Sequence, residues 1–354
     1  MPYERPARSL SRRRLLTRGG AAVGALGAGA FLAACGSDKS GKSDGAKPAS
    51  AAATSSGPWS FTDDRKQPAA AKSAPARIVA YTGTAAALVD LGLGDRIVGV
   101  FGETLGADGK ALPEAGALDV GKVTVLGNAW GEFNVEKYAA LRPEVLVTHM
   151  YDAGALWYVP DESKDKILKL APSVGIEVAK VSLPTPIRRY TELAASLGAD
   201  LNAKPVLDAK ARFEAAAESL RQAAKAANGL RVLAASGSPD VFYASNPGIS
   251  TDLMYFTELG VDIIVPTKLD AGDYYESLSW ENADKYQADL ILLDSRTISL
   301  QPKDLAAKPG WAALPAVKAN QVTPWDTVPR FSYAGAAPLL ERLATAIQSA
   351  KKVA

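Results

Sequence analysis

NAKPVLDAKARFEAAAESLRQAAKAANG, residues 202–229, is the stretch on which the fold turns. Asn202 is placed to cap a helix, Pro205 suits a first turn, where its missing N–H has no partner to lose, and Gly229 stands where a helix ends. The pattern predicts one helix over residues 203–227, about 37 Å long at 1.5 Å per residue. Val206, Phe213 and Leu220 fall seven apart, with alanines filling the same face. An alanine-filled stripe is too thin for a coiled-coil seam. A rod of this length between two longer segments is expected to bridge two domains.

Both flanks read as β then α, repeated. Before the rod, RIVAY (77–81), TAAALVDLGL, RIVGVF, FNVEKYAAL, a strand from Val145 to His149, KDKILKL and GIEVAKV alternate β-branched runs with helical ones. After it come RVLAAS, STDLMYFTELG, DLILLD and an amphipathic helix from Ala336 to about Ala350. Strands separated by helices imply parallel sheets with helices packed on them. The halves also echo each other: Asn134, Val135, Glu136 and Glu144 align with Ser279, Trp280, Glu281 and Asp289 at one constant offset. In each half a polar residue opens a short helix with a carboxylate in its first turn, a place the helix dipole favours.

The chain begins differently. SRRRLLTRGGAAVGALGAGAFLAACGS, residues 11–37, has a twin arginine, an apolar run too short and glycine-rich to span a bilayer, and small residues before Cys35, the one cysteine of the 354 residues. That is the layout of an export signal over residues 1–34, and Leu32-Ala33-Ala34-Cys35 resembles a lipobox behind a Tat-type signal, with Cys35 as the lipidated residue. Residues 35–75 begin with Ser, Gly, Ala, Lys and Asp and read as a flexible tether with a reach of roughly 35 Å. Residues 1–34 hold six of the 40 Lys and Arg and one of the 38 Asp and Glu, so the remainder carries a formal charge of −3. With no basic block, nucleic acid is not an expected partner.

The lipobox and tether, Asn134-x-Glu136 followed by Leu141-x-Pro143-Glu144, the bridging helix, Ser279-x-Glu281 and the closing GWAALPAVKANQVTPWD together resemble the substrate-binding lipoproteins of ABC importers of the helical-backbone class. The branch that binds iron-siderophores is the nearest in look. The resemblance implies an α/β fold of two Rossmann-like lobes, residues 76–200 and 230–354, joined by one long backbone α-helix at 201–229, with the ligand cleft between the lobes. It also implies an extracytoplasmic receptor, anchored to the membrane by its lipid and expected to be a monomer. Such a receptor delivers a ferric siderophore to an ABC permease and its ATPase, with Glu136 and Glu281 as the docking residues. Receptors for cobalamin or haem share the pattern.

In open α/β sheets ligands bind beyond the carboxyl ends of strands. Those places are aromatic here. Tyr81, Trp130, Tyr151, Trp157, Tyr158, Tyr243, Tyr274, Tyr275 and Trp325 stand at or after strand ends, and Arg296 and Arg330 are placed to bond chelating oxygens. Hydroxamate-type binders often carry an arginine before Asn-x-Glu where this chain has Trp130, which leaves the chelate class open. A single histidine, His149, rules out a polyhistidine metal site, so iron is expected only inside its chelate, with no resident cofactor. A surface-anchored hydrolase is the competing class. No Gly-x-Ser-x-Gly elbow or phosphate-binding Gly-x-x-x-x-Gly-Lys-Ser/Thr loop occurs, and a triad would rest on His149 alone.

Overall fold

The computed structural model describes residues 57–354 apart from Thr297. The export signal, Cys35 and the first part of the tether lie outside the described residues. The rest of the tether is not a tether. Residues Trp59–Thr62 (β1) and Pro68–Ala71 (β2) form an antiparallel hairpin. Trp59 and Phe61 alternate inward and are buried, and the Trp59 indole donates to Ser196 Oγ at 3.1 Å. Asp63 closes the turn by accepting from the Arg65, Gln67 and Gly175 amides. These few large residues were hidden in a small-residue composition.

In the first half, β3 (Ile78–Tyr81), α1 (Thr82–Asp90), β4 (Ile97–Phe101), β5 (Thr124–Val125), α2 (Val135–Ala140), β6 (Val145–Met150), α3 (Lys164–Leu170) and β7 (Ser173–Glu177) build a wholly parallel sheet of order β5-β4-β3-β6-β7. Its central strands β3 and β6 are buried along their whole length, as apolar runs covered on both faces must be. β7 starts two residues earlier than GIEVAKV suggests and ends at Glu177. Helix α4 (Pro184–Ser196) then leads to the rod, α5 (Lys204–Ala227). Ala203, not Asn202, holds the N-cap position and offers no side-chain bond; the Asn202 amide instead donates to Asp200. At the other end Asn228 and Gly229 both take left-handed backbone.

The second half contains β8 (Arg231–Gly237), β9 (Val241–Ser245), α6 (Thr251–Glu258), β10 (Asp262–Ile263), β11 (Tyr275–Ser279), β12 (Leu290–Asp294), the short helices α7 (Pro302–Leu305), α8 (Pro309–Ala313) and α9 (Pro315–Lys318), β13 (Val322–Trp325) and α10 (Tyr333–Ser349). Its sheet is mixed. β8, β10, β12 and β13 run parallel, whereas β9 returns antiparallel from β8 and β11 pairs antiparallel with β9. The short loop after Gly237 permits a hairpin where the first half has a helical crossover.

The sequence echo has a structural basis. Glu144 opens β6 and accepts from the Ala76 and Arg77 amides, while Asp289 precedes β12 and accepts from the Arg231 amide. Each carboxylate thus clamps the start of its neighbouring strand, β3 or β8. One apolar core runs through both halves, taking in β3 and α1, Val206, Phe213 and Leu220 of α5, β8, and Leu340 and Leu343 of α10. The rod is therefore one wall of a shared core. Each half also keeps a smaller cluster of its own.

Candidate functional site

The carboxyl ends of β3, β4 and β6 carry a contiguous set of rings. Tyr81 ends β3 and lies 4.7 Å from the His149 ring and 5.3 Å from Tyr158. His149 on β6 lies 5.1 Å from Tyr151, and Tyr151 lies 4.6 Å from Trp157. Trp130 covers this group, 4.9 Å from Trp157 and 5.1 Å from Tyr158. It is 38 % exposed, whereas Tyr81 is fully buried beneath it. Two loops make this possible. Gly102, with φ of 95°, turns the chain after β4 so tightly that a Cβ there would meet Tyr81 Cε2 at 2.5 Å. Tyr158 takes a left-handed φ of 60° that returns it over Tyr81.

The second half reaches the same place. Tyr274 donates from its hydroxyl to the Tyr151 carbonyl at 3.2 Å, and Phe331 packs on His149 at 5.7 Å and Tyr190 at 6.1 Å. Arg296 follows β12 as Tyr151 follows β6, at the offset of the sequence echo. Its guanidinium donates to Asp294 at 2.7 Å and acts electrostatically on the Tyr151 hydroxyl.

Five expected residues, Tyr81, Trp130, Tyr151, Trp157 and Tyr158, therefore form one ring cluster, and Tyr274 and Arg296 meet it from the other half. Three others stand elsewhere. Tyr243 pairs with Tyr275 at 4.8 Å on β9 and β11. Trp325 is buried with its indole N–H committed to Asp252 Oδ2 at 2.6 Å. Arg330 packs against Gly116 and faces Asp90 at 3.8 Å, which occupies its charge in a contact between the halves. From the sequence His149 reads as a structural residue or rim contact, and Phe331, which packs on it, was not selected.

The cluster is short of hydrogen-bond partners. Tyr81 Oη, both His149 ring nitrogens, Tyr151 Oη and Trp157 Nε1 are buried without a partner among the described residues. Leaving such a group unpaired costs about 1–3 kcal/mol, so five around one set of rings mark a place built to meet polar atoms from outside the chain. Burial alone pushes the His149 pKa down to about 3, holding the ring neutral. Burial pushes the Tyr81 and Tyr151 hydroxyls up, so both remain donors. Among the described residues no group of three or more His, Cys, Asp or Glu is arranged to hold a metal ion. A surface depression of about 430 Å³ along α10, lined by Thr323, Pro338 and Glu341, contains none of the ring cluster.

Glu136 and Glu281 are both exposed. Glu136 sits in the first turn of α2, which Asn134 caps by accepting the Lys137 amide at 2.8 Å. Glu281 occupies a tight turn after Ser279, where a backbone amide and the Ser279 hydroxyl hold its carboxyl below the usual range. Neither forms an ion pair among the described residues.

Two α/β halves on one backbone helix, with rings and unpaired donors at the seam, define a solute-binding protein. Residues 78–329 match the periplasmic binding protein family, and the chain belongs to it, as a substrate-binding protein of the helical-backbone class of ABC importers. It is similar to DesE, a ferric-siderophore receptor protein from Streptomyces coelicolor, at 54% identity over 84% of this chain and 100% of that one, with a TM-score of 0.80. The fold is shared with the petrobactin-binding protein YclQ from Bacillus subtilis, at 16% identity over 82% and 99% of the two chains and a TM-score of 0.65. It is shared too with the siderophore-binding protein FhuD from Vibrio cholerae, solved with Fe3+–Desferal, at 17% identity over 78% and 97% and a TM-score of 0.56. Comparison with curated proteins finds no match. The family and these relatives are binding proteins, and the family places the chain on the extracytoplasmic side of a membrane. No helix of the described residues is long and apolar enough to cross one.

Proposed function

We propose that this protein captures a ferric siderophore at the ring cluster between its halves and passes it to an ABC permease without chemical change. The observation that carries this reading is the set of five buried, unpaired polar atoms on an aromatic wall. A ferric chelate has a bulky, partly apolar body whose metal-bound oxygens accept hydrogen bonds, and the Tyr81 and Tyr151 hydroxyls and the Trp157 N–H are donors of the matching kind. The neutral His149 ring adds one donor and one acceptor. The likeness to a ferric-siderophore receptor supports the same substrate class. Iron arrives caged and serves as cargo.

Delivery requires anchoring and docking. Cys35 is the lipid attachment point after Tat-type export, and the folded part works as a monomer held at the outer face of the membrane. Glu136 and Glu281, one exposed carboxylate on each half, engage basic residues of the permease.

Titration of the purified protein with iron(III)-loaded trihydroxamate, mixed-ligand and catecholate siderophores tests the reading. At least one class quenches tryptophan fluorescence, because Trp130 and Trp157 line the cluster, and zinc or manganese alone leaves it unchanged. Tight binding of a corrinoid or haem with no response to any ferric chelate refutes the siderophore assignment.

A further inference from the structure

One charge in the second half stands where its strand calls for an apolar side chain. Side chains alternate along β11, and Glu276 shares its inward face with Leu278, which packs in the apolar cluster of Trp280, Ala283 and Tyr286. Glu276 is 3 % exposed. Its Oε1 accepts from Lys285 Nζ, and its Oε2 accepts from Tyr286 Oη at 2.5 Å and from the Lys268 amide at 3.1 Å. Tyr286 Oη accepts in turn from the Thr267 amide at 2.7 Å.

These bonds close a loop around the turn that carries Glu281. β11 ends at Ser279, the tight turn spans Trp280–Lys285, and Lys285 and Tyr286 bring its far end back to the strand it left. The near end is held separately. The Trp280 indole donates to the Ser238 carbonyl at 3.1 Å, and α8 lies so close that a Cβ on Gly310 would meet the Trp280 carbonyl oxygen at 1.8 Å. Glu281 is exposed between these two fixed ends, while Ala283 packs in the cluster. A buried ion pair seldom outdoes apolar packing in stability, and its best-attested use is to fix one arrangement.

We infer that Glu276 is a positioning residue for docking: through Lys285 and Tyr286 it braces the Trp280–Lys285 turn, so that the Glu281 carboxylate is presented to the permease in one fixed geometry. This rests on the delivery and docking roles proposed above and adds to them a residue that is itself enclosed and touches no partner. Charge-assisted bonds between a carboxylate and a basic side chain are directional. A turn released from its brace keeps the Glu281 charge but spreads it over many orientations, and ordering it again on docking costs affinity.

The test is a double-mutant comparison of uptake by cells carrying the full-length receptor, normalised to the amount of receptor in the membrane. The probe is radiolabelled iron(III) in whichever trihydroxamate, mixed-ligand or catecholate complex the fluorescence titration selects. Glu276→Gln, and Tyr286→Phe, which deletes one oxygen and keeps the ring, should each lower uptake several-fold while affinity for the complex stays within about twofold. Added to Glu281→Ala, neither should lower uptake further; added to Glu136→Ala, each should act with its full factor. A merely structural role lowers uptake by the same factor in both backgrounds, and that result overturns the inference, as does unchanged uptake in both single variants. Unchanged uptake in Glu281→Ala alone overturns the docking role of Glu281 and this inference with it. Failure of the unmodified protein to bind any of the complexes overturns the siderophore reading, and with it an inference about delivery of that cargo.

Discussion

Replacing His149 by leucine should make the fold more resistant to acid. His149 is 1 % exposed, surrounded by Tyr81 at 4.7 Å, Tyr151 at 5.1 Å and Phe331 at 5.7 Å, and its ring has no hydrogen-bond partner among the described residues. Burial lowers its pKa from 6.5 to about 3 in the folded chain. Above pH 6.5 the ring is neutral in both states and contributes no pH dependence. Below that the unfolded chain takes a proton that the folded chain refuses, so stability falls by about 1.4 kcal/mol per pH unit until pH 3. Between pH 7 and pH 5 the loss is about 2 kcal/mol. Asp252 works in the opposite sense. Burial, only partly offset by the Trp325 N–H, raises its pKa to about 6, so protonation below pH 6 favours the fold. Comparing the protein with His149→Leu cancels that opposing effect. Urea unfolding followed by tryptophan fluorescence at both pH values should show the unmodified protein losing about 2 kcal/mol more than the variant. Equal losses would refute the reasoning and place the titrating group elsewhere.

Other outcomes follow from the same geometry. Trp130→Ala and Tyr151→Ala should each weaken binding of the preferred ferric chelate by about 1 kcal/mol or more in a fluorescence titration, as loss of a buried contact requires. Glu136→Ala and Glu281→Ala, both exposed and outside the ring cluster, should leave that affinity within a few-fold while uptake of the radiolabelled chelate by cells falls. Phe213→Ala removes a ring stacked 5.8 Å from Tyr255 and tilted against Tyr333 at 5.5 Å, and should lower the unfolding free energy by about 3–5 kcal/mol. Cys35→Ser should release the protein from membranes or leave it unprocessed, as read by fractionation and mass, with binding by the soluble part unchanged.

The legible parts of the fold were those governed by periodicity. The strands at Ile78, Val145, Arg231 and Leu290 are continuous apolar runs, and α5 declares itself by its alanine face and its terminal Asn228-Gly229. The β1–β2 hairpin was not legible, because two buried aromatics in an Ala- and Ser-rich setting carry little pattern until Ser196 and Gly175 are brought to them. Nor was the antiparallel return of β9, which depends on a short turn rather than on any property of the strand. In the site, the strand-end rule found the ring cluster but could not rank its members. Trp325 and Tyr81 both stand at strand ends. Only packing shows that the Trp325 N–H is held by Asp252 while the Tyr81 hydroxyl has no partner among the described residues.

How the halves are joined limits how the site can open. Two backbone hydrogen bonds cross between them just past the carboxyl end of β7, Lys180 N to the Ile249 carbonyl at 2.9 Å and Leu183 N to the Thr251 carbonyl at 3.0 Å. The shared core also joins them, and the two-pronged Arg212–Glu341 pair at 2.6 and 2.7 Å ties α5 to α10. At the ring cluster Tyr274 donates to the Tyr151 carbonyl across the seam, beside the packing of Phe331 on His149. Opening of the site therefore has small amplitude, because the helix that would have to bend is itself packed in the core through Val206, Phe213 and Leu220.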